Sequence, residues 1–133
     1  MEILKVKTGS RTEFVDITGS VRELAREKSY RDGVLHIYVP HTTGGVTINE
    51  GADPAVAQDI ISVMNKIVPW DYSYSHLEGN SPAHIKSSLM GSSAQVIVEG
   101  GKIMLGTWQK IFFCEFDGPR NRKVWIKFID DWR

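Results

Sequence analysis

The chain is 133 residues long, enough for one domain built on a single core. Its 16 basic and 16 acidic side chains cancel, which argues against a broad cationic surface for nucleic acid or an anionic membrane. The one cysteine, Cys114, permits no internal disulfide, and no apolar run has the length of a signal peptide or a membrane span. The expectation is therefore a cytoplasmic protein with residues 1–133 as one domain, and no nucleic-acid or membrane partner.

Ile3, Leu4 and Val6 mark a first strand, and Phe14, Val15 and Ile17 a second. Gly9-Ser10 between them predicts a hairpin. Ser20 with Glu23 has the spacing of a capping box, and Val21, Leu24 and Ala25 give the helix behind it an apolar stripe. Val34 to Val39 reads as a buried strand. Its alternation puts Leu35, Ile37, Val39 and His41 on one face and Val34, His36 and Tyr38 on the other. Gly44-Gly45 allows a tight turn before a strand at Val46 to Ile48. Asp53 as N-cap and Pro54 at the first position open a helix whose stripe runs Val56, Ile60, Val63, Met64, Ile67 until Pro69 ends it.

Trp70 to Asn80 has no regular period. Ser81 and Pro82 predict a second capped start, with a short helix reaching about Met90 and stopping at Gly91. His84 falls in its first turn, with Ser87 and Ser88 three and four residues on along the same face. Val96 to Val98 and Ile103 to Leu105 form a hairpin about Gly100-Gly101. Trp108 to Phe116 and Val124 to Ile129 complete a series of neighbouring strands. The pattern predicts an α+β domain, mainly antiparallel sheet or sandwich, with about three helices.

Polar residues concentrate at four places. His41 is followed by Thr42, Thr43 and two glycines; such a turn either holds an anion on hydroxyls and backbone amides or simply ends a strand. Asp53 has a capping task, whereas Glu50 has none visible locally and is free to act as a base. His76 and His84 lack the spacing of a helical zinc motif, and only the intervening turn can bring them together. Along Trp108 to Phe116, alternation groups Gln109 with Ile111, Phe113 and Glu115. Polar groups on that face need partners if buried. Arg120 or Arg122, in the basic turn after Pro119, can meet a phosphate or a carboxylate. Cys114 reads as a core thiol and His36 as a strand residue.

Taken together, four blocks resemble the YjbQ-like family, whose members are often called secondary thiamine-phosphate synthases. They are His41 to Glu50, His76 with Asn80, Pro82-Ala83-His84-Ile85-Lys86-Ser87-Ser88-Leu89-Met90-Gly91-Ser92, and Leu105-Gly106-Thr107-Trp108-Gln109-Lys110-Ile111. The resemblance runs in order over nearly the whole chain. It implies a compact β-rich fold, a homotrimer, and a reaction joining a pyrimidine diphosphate to a thiazole phosphate. It also implies catalytic roles for His41, Glu50, His84, Gln109 and Glu115. A divalent metal, zinc or magnesium, would sit on His41, His76 and His84. Thr42, Thr43, Asn80, Lys86 and Ser87, with Arg122, would contact the small phosphorylated ligand. The chain has no P-loop and no acidic pair of a diphosphate-metal motif. Two other readings therefore stand beside this one: a non-catalytic trimeric module for a metal or phospholigand, and a metal-dependent hydrolase with Glu50 as general base.

Overall fold

The computed structural model describes residues 1–131. Eight strands and three helices follow in the order β1 (Glu2–Lys7), β2 (Glu13–Asp16), α1 (Thr18–Glu27), β3 (Gly33–Tyr38), β4 (Gly44–Glu50), α2 (Pro54–Ile67), α3 (Ser81–Met90), β5 (Ser93–Glu99), β6 (Lys102–Met104), β7 (Gln109–Glu115) and β8 (Asn121–Asp130). They form a five-stranded sheet, β1-β8-β3-β5-β6, and a three-stranded sheet, β2-β7-β4. Every strand pairing is antiparallel, as the α+β sandwich expectation requires.

The alternation of β3 has its predicted consequence. Leu35, Ile37 and Val39 are buried, whereas Val34 and His36 are half-buried and Tyr38 is exposed. From the large sheet, these side chains join Val6, Val96, Val98, Val124 and Ile126. Val46, Ile111 and Phe113 of the small sheet close on them, and Ile17, Val21 and Ala25 seal one end. The small sheet is covered on its other face too. There Phe112, Cys114 and Phe116 pack with Ala83 of α3, with Met64, Trp70 and Met90 around them. Strand β7 is thus buried on both faces over Ile111–Glu115, which explains why its apolar run is nearly continuous. Burial also pushes the Cys114 thiol far above its ordinary range, so it is a core group and not a nucleophile.

Three local expectations need correcting. The first two strands are no hairpin: β1 pairs with β8 and β2 with β7, in different sheets. Thr8 extends the β1–β8 pairing through its amide to the Arg120 carbonyl, and the chain crosses only afterwards. The capping box of Ser20 and Glu23 does not form either. Helix α1 begins at Thr18, whose amide donates to Asp16 Oδ1 (2.9 Å), and Glu23 pairs with Arg26 on the exposed face. Helix α3 starts one residue early, with Asn80 at the cap and no side-chain cap bond. Asp53 does cap α2, accepting from the Ala55 amide at 2.9 Å. Gly100 and Gly101 turn the β5–β6 hairpin at φ 58° and 79°, a region glycine enters without strain.

Candidate functional site

Three segments far apart in sequence meet at one end of the small sheet: the turn after β3, the start of α3, and the loop from β7 to β8. At their base lies a buried ion pair. Arg122 Nε donates to Glu115 Oε1 at 2.9 Å, and Nη2 reaches Glu115 Oε2 and Thr43 Oγ1, the latter at 2.8 Å. Glu115 also accepts from the Thr8 hydroxyl at 2.7 Å and from the amides of Phe116 and Asp117 at 3.1 Å. Burial alone would raise the Glu115 carboxyl. The Arg122 guanidinium, the Thr8 hydroxyl and the Asp117 amide outweigh it and hold the group below its ordinary value. With both oxygens committed, Glu115 serves here to fix Arg122, not to face a ligand. Arg122 Nη1 makes no hydrogen bond among the described residues, and the side chain lines a recess above.

His41 stands beside this pair. Its Nε2 accepts the Lys123 amide at 2.9 Å, and its ring meets Phe113 edge-on. Burial and the nearby Arg122 charge hold it below its ordinary pKa of 6.5. The Lys123 amide also requires Nε2 to be unprotonated, so the neutral ring carries its proton on Nδ1. His76 and His84 do come together: their ring centroids are 5.3 Å apart at 84°.

Two recesses share the wall formed by His41, Thr42 and His84. One, of about 430 Å³, adds His76, Glu78, Asn80, Arg120 and Arg122. The other, of about 420 Å³, adds Gly44, Ser87, Ser88, Gly91 and Ser92. Asp117 ties the first together, accepting from Asn80 Nδ2 at 2.9 Å and from Arg120 Nη2 at 2.7 Å. Asn80 Oδ1 and Ser87 Oγ are buried without hydrogen-bond partners among the described residues. Buried polar atoms are normally paired, so both are open to a partner that enters the recesses.

Other predicted residues lie elsewhere. Glu50 pairs with Gln109 at the far end of β4 and β7, six residues along from the Gly44–Glu115 pair. At about 3.3 Å per residue that is roughly 20 Å away. Glu50 has a local task after all, accepting the Asp53 amide at 2.9 Å, and Gln109 folds back onto the Gly106 amide at 2.7 Å. Lys86 points inward, fully buried, with Nζ on Asn65 Oδ1 and near the Trp70 ring. Burial, then the Arg11 charge, pushes its pKa down. Thr43 is buried with its hydroxyl and carbonyl on Arg122, which leaves the exposed Thr42 to face both recesses.

The three histidines line one recess without forming a metal centre. His41 has spent Nε2 on an amide, and no three His, Cys, Asp or Glu side chains among the described residues are grouped to hold an ion. The donor set does not fit a histidine-bound metal.

Two contributors escaped sequence reasoning. Thr8 reaches Glu115 across 107 positions, with no local signal. Asp117 is a lone acid beside a basic turn, and nothing in the sequence announces its partners.

The family model described as UPF0047 protein YjbQ-like matches residues 2–131. The chain is 53% identical to a UPF0047 protein of Methanocaldococcus jannaschii, over 96% of this chain and 92% of that one. It is 48% identical to UPF0047 protein YugU of Bacillus subtilis, covering 97% of this chain and 98% of that one. The crystal structure of a YjbQ/UPF0047 family protein of Clostridium acetobutylicum superposes with a TM-score of 0.94 at 51% identity, over 97% of this chain and all (100%) of that one. A conserved protein of Thermus thermophilus gives a TM-score of 0.91 at 42% identity, over 97% and 100% of the two chains.

Proposed function

This chain belongs to the UPF0047 YjbQ-like family, and we propose that it is a transferase of the thiamine-phosphate-synthase type, joining a pyrimidine diphosphate to a thiazole phosphate. The observation that carries the reading is the pair of recesses that share His41, Thr42 and His84. Each has the volume of a small-molecule site, and one contains two guanidinium groups. In the reaction, the lone pair of the thiazole nitrogen forms a bond to the methylene carbon of the pyrimidine. The bond from that carbon to the diphosphate oxygen breaks, and diphosphate leaves with the electron pair.

Negative charge grows on the leaving oxygen, so the best use of protein groups is to aim fixed donors there. Arg122 suits this because Glu115 and Thr43 pin it before any ligand arrives. Arg120, half exposed and tied to Asp117, offers a second guanidinium. Neutral His41 donates through Nδ1–H without adding a mobile proton. The hydrolase alternative loses its base, because Glu50 lies about 20 Å along the sheet.

Purified protein incubated with both precursors is expected to form thiamine phosphate and release one diphosphate per product. Binding of both precursors with no product above a protein-free blank would leave a ligand-binding module and end the transferase reading.

A further inference from the structure

The two recesses differ in charge although they share a wall. The first contains Arg120 and Arg122, with Glu78 on its exposed rim. The second is lined by no carboxylate, ammonium or guanidinium group; beside the shared histidines, its polar side chains are the hydroxyls of Thr42, Ser87, Ser88 and Ser92. A phosphate there would find nothing fixed to neutralise it. An uncharged ring carrying both a donor and an acceptor would find hydroxyls able to play either part.

Ser87 makes the case specific. The residue is only 9% exposed, and its Oγ has no partner among the described residues. A serine inside a helix commonly turns its hydroxyl back to the carbonyl four residues earlier. Ser88 does so, donating to the His84 carbonyl at 3.1 Å, and Ser87 does not. Its hydroxyl is therefore held, buried and unsatisfied, in the wall of the uncharged recess.

Resting on the proposed pyrimidinylmethyl transfer, we infer that the serine-lined recess is the subsite for the uncharged heterocyclic part of the ligand, an aminopyrimidine ring, while the arginine-lined recess takes its diphosphate. Ser87 bonds a ring nitrogen or the exocyclic amine. His41, Thr42 and His84 stand at the junction, where the bond between the two parts breaks.

The test separates the two halves. The full chain is titrated calorimetrically with inorganic diphosphate and with the uncharged pyrimidine alcohol, singly and together. Both are expected to bind the wild type at once, with saturating diphosphate changing the Kd of the alcohol by less than about threefold. Ser87→Ala should raise the Kd of the alcohol by about tenfold, the effect of one lost buried hydrogen bond, and leave diphosphate unchanged. Arg120→Ala should do the reverse. Alanine is favourable in a helix and removes an unsatisfied hydroxyl, so the Tm of Ser87→Ala should hold or rise.

Failure of the alcohol to bind, indifference of its Kd to Ser87→Ala, equal losses for both probes, or mutual exclusion of the two would overturn the subsite assignment. Diphosphate that fails to bind the wild type, while the alcohol still depends on Ser87, would instead remove the transfer with diphosphate as leaving group and keep the ring subsite.

Discussion

Arg122→Ala is expected to lower Tm by roughly 10–20 °C, which corresponds to about 3–5 kcal/mol for a chain of this size. The pair is buried: the Arg122 side chain is 4% exposed and Glu115 is 0% exposed. Solvent screening therefore discounts it little. Removing the guanidinium leaves a buried carboxylate supported only by Thr8 and two amides, and it takes away a donor to Thr43. The variant should also change the response to pH. In the wild type Glu115 lies below its ordinary 4.5, so the folded state binds its proton more weakly than the unfolded chain does. That contribution is complete above about 4.5 and is lost as pH falls through the folded value. Without Arg122, burial dominates and the folded value rises above the unfolded one. The variant then gains from protonation, and the stability gap between the two proteins should narrow from pH 7 toward pH 4. Urea denaturation at several pH values measures it. A variant within about 2 °C of wild type, or a gap that widens on acidification, would remove the pair from the account of stability.

His84→Ala is expected to reduce product formation at least about a hundredfold, the usual scale for losing a group that works at the reacting centre, while leaving Tm nearly unchanged. The position suits such a test better than His41, whose ring also caps the Lys123 amide. The His84 ring makes no hydrogen bond among the described residues; it stacks edge-on with His76 and forms part of both recesses. Alanine in the first turn of α3 costs the helix nothing. Rates equal to wild type would show that the shared wall takes no part in the chemistry.

Elements whose signals are local were legible in the sequence. Asp53-Pro54 states a helix start that needs no tertiary help, and the glycine pair 100–101 admits little but a turn. The placement of Ser87 and Ser88 with His84 also follows from helical spacing alone. Long-range pairing was not legible. A hairpin between the first two strands is the nearest pairing in sequence, yet their partners stand more than a hundred residues away for most positions. Lys86 shows a different difficulty. Its charge suggests a ligand contact, but its spacing from Ala83 and Met90 places it on the stripe that α3 turns toward the small sheet. Period outweighs residue type there. Glu50 reads as free only because its partner is a backbone amide three residues on, a bond that composition does not announce.

The most direct measurement is a crystal structure of the protein soaked with inorganic diphosphate. Diphosphate is expected in the arginine-lined recess, within hydrogen-bond distance of Arg120 and of Arg122 Nη1, with the Ser87 recess left free of phosphate. Diphosphate bound only elsewhere on the chain, or lodged against Ser87 away from both guanidinium groups, would contradict it.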